Sequence, residues 1–231
     1  MFTIENLKFT KFFDVKSPVG LEQRRENICN YSIGMDLYFP KDSEEFREAI
    51  LKANQKLYPR IEMIKMAEYK NGNCLIKTYN FIGSVDNLMK IETFVNIETN
   101  EVIKTQYYIY RPIQIPTGIG LLIPDNVWAE VRTKSSNFQL GFSEVHGTVD
   151  MNYTYGMGVQ IFNINTNEVS REIPVLNFES DQKFAQIVFH EAVPIIATQE
   201  IPLNEWDKLE EVQLKRNIRT GGFGSTGKKD K

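Results

Sequence analysis

From residue 61 to residue 189 the chain repeats one texture: a few residues rich in Val, Ile, Tyr, Phe and Thr, then a cluster of Gly, Pro, Asn or Asp. Such side chains fit a pleated, half-buried surface and the punctuation supplies turns, so each run reads as a short strand. The expected strands are 74–81, 90–97, 102–110, 127–131, 159–164, 169–176 and 184–189, with further β stretches at 113–118 and 120–123. Short strands separated by turns predict a mainly β chain, folded as a sandwich or barrel. Two apolar patches near the start, 2–4 and 9–15, are expected as edge strands.

One stretch breaks this texture. Asp42-Ser43-Glu44-Glu45 has the form of a capping box, with Asp42 as the cap and Glu45 three residues on, reaching back to a free N–H. Phe46, Ala49, Ile50, Ala53 and Leu57 follow at helical spacing, Lys52 and Lys56 close the last turn, and Pro59 lies beyond. The spacing predicts a helix over 43–56. A single short helical turn is expected within 203–214.

Composition excludes several function classes. A formal charge of −3 gives no general attraction to nucleic acid or an anionic membrane, so any polyanion must be met by local basic groups. Cys29 and Cys74 stand alone, and with only His146 and His190 beside them there is no zinc or iron ligand set; both cysteines read as reduced packing residues. No apolar run approaches membrane-spanning length, and Met1 to Asn6 lacks a basic segment followed by an apolar block, so a cytoplasmic protein is expected.

Three stretches carry chemistry. The run from Gly147 to Asn163 joins a lone carboxylate, Asp150, to Tyr153 three residues on, with glycines at 147, 156 and 158; it reads as a β hairpin whose backbone could meet the edge of a flat heterocycle. Asp36 interrupts an apolar β run, which requires a bulge or a polar contact. Near the C-terminus, Gly221-Gly222-Phe223-Gly224-Ser225-Thr226-Gly227 precedes Lys228 and Lys229. It reads either as a mobile tail or as a flap in which Phe223 stacks on a ligand ring and hydroxyls meet phosphate.

Taken in order, five stretches resemble the motifs of the trimeric dUTP pyrophosphatase (dUTPase) family, A-G-x-D-L, R-S-S/G, G-x-I-D-x-x-Y, G-D-R-x-A-Q and R-G-x-G-G-F-G-S-T-G. Here they stand as Ile33-Gly34-Met35-Asp36-Leu37, Lys134-Ser135-Ser136, Gly147-Thr148-Val149-Asp150-Met151-Asn152-Tyr153, Asp181-Gln182-Lys183-Phe184-Ala185-Gln186 and residues 220–227. The third and fifth are the specific ones. The resemblance covers roughly 28–40 and 103–227. It implies a dUTPase-like jelly-roll β barrel (β-clip) from 1–40 and 103–214, an insertion at 41–102 made of the helix and a β meander, and a flexible tail at 215–231 that closes a neighbouring active site. The implied assembly is a homotrimer with active sites at subunit interfaces. The implied activity is hydrolysis of dUTP to dUMP and pyrophosphate, which keeps uracil out of DNA and supplies dUMP.

The resemblance also assigns roles. Asp150 would activate water for in-line attack on the α-phosphorus, and Tyr153 would sit under the deoxyribose. The backbone around Gly147, Val149 and Gly158 would read uracil. Lys134, Ser135, Ser136 and Gln186 would hold phosphate, while Phe223, Gly224, Ser225 and Thr226 would close over base and γ-phosphate. Asp36 would act on Mg²⁺ through water, the ion arriving on the triphosphate. The sequence departs from the family at three arginines: Lys134, with Arg132 close by, Lys183, and Ile218, beside which Arg219 is the candidate for the γ-phosphate. Tyr155 stands where the family has a glycine, and Gly156 follows. Two alternatives remain. One is a dCTP deaminase-like or bifunctional enzyme, for which Gln160 stands where a catalytic Glu is needed. The other is a dUTPase-fold regulatory protein whose 41–102 insertion binds a protein partner.

Overall fold

The computed structural model describes residues 7–18, 34–84, 87–124, 127–134, 137, 142–144, 147–149, 156–163, 177–190 and 198–213. The chain is mainly β, as its texture predicts, and its strands form several largely antiparallel sheets. A five-stranded sheet runs β13 (Asn177–Glu179), β6 (Val102–Ile109), β5 (Asn87–Asn96), β4 (Cys74–Ile82) and β3 (Glu62–Asn71). Strands β6, β5 and β4 are the expected meander, and β3 is a further strand that the reading of the sequence did not predict. The tight connection from β5 to β6 is made by the Asn96 side chain, whose Oδ1 accepts from the N–H groups of Glu98 and Thr99 at 2.8 and 3.0 Å, with Asn100 at φ 59°.

A four-stranded antiparallel sheet runs β11 (Gly147–Val149), β9 (Ala129–Thr133), β14 (Lys183–Phe189) and β2 (Gly34–Tyr38). Two three-stranded sheets complete the described strands. One runs β10 (Phe142–Glu144), β12 (Gly158–Asn163) and β7 (Ile113–Pro116). The other runs β15 (Thr198–Glu200), β1 (Leu7–Lys11) and β8 (Ile119–Leu122). Here β1 is the central strand, parallel to β15 and antiparallel to β8, and not the edge its position near the chain start predicts. The expected strand 169–176 lies outside the described residues.

The helix α1 (Glu44–Asn54) is where the periodicity puts it, but its cap is Ser43, not Asp42. Ser43 has extended backbone and its Oγ accepts from the Phe46 N–H at 3.2 Å. Asp42 is drawn off by stronger partners: its almost buried carboxylate binds the Arg47 guanidinium and accepts from Thr93 Oγ1 at 2.6 Å. With Ser43 as cap, the residue three on is Phe46, so the reciprocal box is lost and an apolar anchor is gained. Phe46 is fully buried, its ring centroid 5.4 Å from Phe13 and 5.9 Å from Tyr107. Phe39 lies among Tyr107, Phe178 and Phe184 at 4.5, 4.8 and 5.0 Å. One continuous apolar core thus takes side chains from α1, the five-stranded sheet and the four-stranded sheet.

At the other end, α2 (Leu203–Gln213) is an eleven-residue helix where only a single turn is expected. Its first amides, Glu205 and Trp206, donate to the Pro202 carbonyl at 2.9 and 3.0 Å, and the Trp206 side chain is buried. Short helices in proteins owe most of their stability to tertiary packing, and the buried Trp206 supplies such packing to α2. Among the described residues no helix is long and apolar enough to cross a membrane.

Candidate functional site

Strand β2 is buried along its whole length, which its alternation explains. Met35 and Leu37 enter the apolar core, so Asp36 is turned to the opposite face of the four-stranded sheet. There the cross-strand register makes a row: Asp36 opposite Gln186 on β14, and Gln186 opposite Arg132 on β9. Gly34 lies against that row: a Cβ on it would stand 2.7 Å from Gln186 Oε1, so a larger residue there would push the Gln186 amide to a new position.

Asp36 is 2% exposed, and both of its oxygens are bonded to ammonium groups. Lys134 Nζ, one residue past β9, donates to Oδ1 at 2.9 Å, and Lys183 Nζ, at the start of β14, reaches Oδ2 at 2.8 Å. This resolves why an acid sits in an apolar run: it is a polar contact and not a bulge on β2. The turn that sets Lys183 is pinned to the end of β2, with Phe39 N–H donating to the Gln182 carbonyl at 2.8 Å and Asp181 N–H to the Phe39 carbonyl at 2.9 Å. Asp181 adopts φ 64°, a left-handed conformation that Asp tolerates better than most residues. Lys16 adds a third ammonium nearby, its Nζ 4.8 Å from the centroid of the Tyr38 ring, and Tyr38 is the register partner of Lys183. One end of the sheet is therefore suited to an anion carrying several charges.

Arg132 does not join this cluster. Its Nε and one terminal nitrogen donate to Glu130 Oε2 on the same strand at 2.9 and 2.8 Å, and His190 Nε2 lies 3.1 Å from the same oxygen. Trp128 stacks on His190 with centroids 3.5 Å apart. Glu130 and Arg132 alternate along β9 and Trp128 stands just before it, so this polar row shares the Asp36 face of the sheet. The sequence reading missed it, although the alternation from 128 to 134 was available. Lys183 was likewise read as a departure and not as a site residue, because only the β2–β14 register brings it to Asp36.

The run from Gly147 to Asn163 differs from its prediction. In the described residues β11 pairs with β9, and β12 pairs with β7 and β10, so the two arms lie in different sheets and do not form a simple hairpin. The reason is tertiary: Thr117 and Ile119 take the backbone of Met157 at 2.8 and 3.0 Å and pull the second arm away. Gly147 and Val149 sit on β11, Gly147 with no heavy atom within 4 Å of where a Cβ would be. Gly158 opens β12 opposite Pro116, and Gln160 lies opposite Gln114. Ser135, Ser136, Asp150, Tyr153, Arg219, Phe223, Gly224, Ser225 and Thr226 lie outside the described residues.

Register also sets distances. Val149, the residue before Asp150, pairs with Ala129, and Lys134 is five positions further on, one residue past the end of β9. At about 3.3 Å per residue that is roughly 17 Å of sheet between them. The arm leading to Asp150 leaves at the end of the sheet away from the lysines.

Asp36 does not present a free carboxylate to a metal ion, since both oxygens are bonded to ammonium groups. Among the described residues no three His, Cys, Asp or Glu side chains gather in a way that could hold a cation. The donor set fits an anion better than it fits a caged metal.

No protein-family model matches the chain, and no curated protein does. Among solved structures it is similar to the dUTPase of EIAV, at 18% identity over 63% of this chain and 97% of that one, with a TM-score of 0.30. It is also similar to a dUTPase from phage phi11 of S. aureus, at 13% identity over 60% and 93%, TM-score 0.31. A third is a dUTPase of Staphylococcus bacteriophage 80alpha, at 12% identity over 74% and 95%, TM-score 0.31. All three are dUTPases. Scores and identities of this size do not establish a shared family, and the functional reading stands on the residues.

Proposed function

We propose that this chain is a dUTP diphosphatase that cleaves the bond between the α- and β-phosphates of dUTP. The reading is supported above all by the strand order β11–β9–β14–β2. The four stretches that carry or lead into the first four resembling motifs are scattered from residue 34 to residue 189, yet they are neighbours on one sheet. Unrelated motif matches would have no reason to converge in this way.

In this reading Lys134 and Lys183, held apart by Asp36, meet the phosphate chain as two point charges where the family uses arginine forks. Gln186 stands between them and Arg132 as a neutral hydrogen-bonding group. A water oxygen attacks the α-phosphorus, its proton goes to Asp150, and the bridging oxygen leaves with pyrophosphate. Backbone groups near Val149 and Gly158 would discriminate uracil from cytosine, because the wrong base leaves a buried donor or acceptor unpaired at about 1–3 kcal/mol per group. Mg²⁺ would arrive on the triphosphate and neutralise part of its charge, while Asp36 holds the two lysines.

The roughly 17 Å of sheet between Lys134 and the approach to Asp150 favours a site shared between copies, with the lysines from one and Asp150 from another. This fits the homotrimer that the motif resemblance implies, with Phe223, Ser225 and Thr226 closing the site. Pyrophosphate release from dUTP, dCTP and UTP tests the proposal. Turnover of dUTP alone, abolished by Asp150→Asn, is the expected result; no turnover of any of the three would refute it. Mixing Asp150→Asn with Lys134→Ala/Lys183→Ala subunits should restore part of the activity, and no recovery would refute the shared site.

A further inference from the structure

The outer edge of the five-stranded sheet is β3, ten residues long, and among the described residues no strand pairs with its far side. It is exposed almost throughout and carries Ile64, Met66 and Tyr69 at 40, 55 and 48% exposure. A long edge with apolar side chains on it is a template for another strand unless something blunts it. Two blunting devices are present. Lysines punctuate the strand, and the register against β4 shifts between Lys65 and Ala67, leaving Met66 as an extra residue.

That extra residue decides which pairing the edge can accept. In an antiparallel ladder the residues opposite each other must point their backbone groups the same way. In a regular strand that condition joins odd positions with odd and even with even when a strand meets a two-fold copy of itself. Here Lys65 pairs with Tyr79 and Ala67 with Thr78, so the alternation is reset at Met66. Positions 62 and 64 now match 67, 69 and 71, while 63 and 65 match 68 and 70. A two-fold axis between Met66 and Ala67 satisfies the condition for all four outer pairs. It sets Lys65 opposite the second copy's Glu68, and Ile64 opposite Tyr69, each twice. Lys65 and Glu68 already form an ion pair within one strand, so the joined edge carries four charges of alternating sign.

We propose that β3 is a self-association edge, joining two copies of this chain antiparallel about a two-fold axis between Met66 and Ala67 into one continuous ten-stranded sheet. The occupant is a second copy because the charge pattern complements itself in the register the bulge permits. The inference does not rest on the dUTPase reading, since it concerns a different sheet edge.

Light scattering after size exclusion tests it, with circular dichroism to confirm that each exposed-edge variant is folded. The wild-type mass should be an even multiple of the chain mass. Glu68→Lys, which sets lysine against lysine, should lower it roughly two-fold. The double exchange Lys65→Glu/Glu68→Lys, which restores opposite signs, should bring it back. An odd multiple for the wild type, a mass indifferent to Glu68→Lys, or no recovery in the double exchange would overturn the proposal.

Discussion

Replacing Asp36 by Asn tests whether the Asp36–Lys134–Lys183 cluster is a structural keystone of the sheet or an incidental surface contact. The substitution keeps the shape and one acceptor but removes the charge that holds two ammonium groups. Removing one partner of a fully buried ion pair costs about 3–5 kcal/mol, because an uncompensated charge stays behind. Here the groups left behind are lysines with side chains 23 and 48% exposed, and both can turn toward water. The Lys183 contact is therefore worth no more than a surface pair, below about 1 kcal/mol. The Lys134 contact, more enclosed, is worth about 1.5–3 kcal/mol as a charge-assisted hydrogen bond. The sum predicts a loss of roughly 1.5–4 kcal/mol, which in a chain of this size lowers Tm by about 3–16 °C. Urea unfolding at fixed protein concentration should show a lower midpoint with an unchanged slope. Lys134→Met should cost more than Lys183→Met. A loss below about 0.5 kcal/mol for Asp36→Asn, or the reverse order for the two lysines, would refute the reasoning.

Three further outcomes follow from other contacts. Buried Asn54 ties α1 to β7: its Nδ2 donates to the Ile50 and Gln114 carbonyls, both at 2.9 Å, and its Oδ1 accepts from Gln114 N–H at 2.8 Å, so Asn54→Ala should cost about 2–4 kcal/mol in denaturant melts. Gly118→Ala should cost a similar amount, about 2–4 kcal/mol, because Gly118 sits at φ 70° and a Cβ there would lie 2.5 Å from the Phe13 ring; a loss under about 0.5 kcal/mol would mean that Phe13 moves aside freely. Burial, and then the charge of Glu92, push Tyr108 up to about 12, and burial holds Tyr107 well above its ordinary value. Both values are raised, so the folded chain keeps protons that the unfolded chain releases from about pH 10. The contribution of these two tyrosines should be constant below about pH 10 and fall as pH rises from about 10 to 12; Tyr108→Phe should reduce that fall, and an unchanged profile would count against it.

Local pattern and tertiary context divide the protein between them. The sequence alone determined the mainly β character, the three meander strands β4 to β6, the position of α1 and the order of the motif stretches. Each of these depends on side-chain periodicity, turn chemistry or residue identity within a few positions, all of which act locally. Where two local choices were nearly equal, tertiary contacts decided. Asp42 and Ser43 could each cap α1, and the choice fell to Ser43 because Arg47 and Thr93, the latter fifty-one residues away, claimed Asp42. The short helical turn expected at 203–214 is instead the eleven-residue α2, whose Trp206 side chain is buried.

The candidate site divides in the same way. Asp36, Lys134 and Gln186 were legible as residues, because motif order marks them. That Lys183 shares Asp36 with Lys134, that Arg132 is occupied by Glu130, and that the arms flanking Asp150 lie in different sheets were not legible. Those facts depend on strand register, and register is fixed by which faces the whole core can bury. A sequence names the charged groups; only the packed sheets decide which of them meet each other.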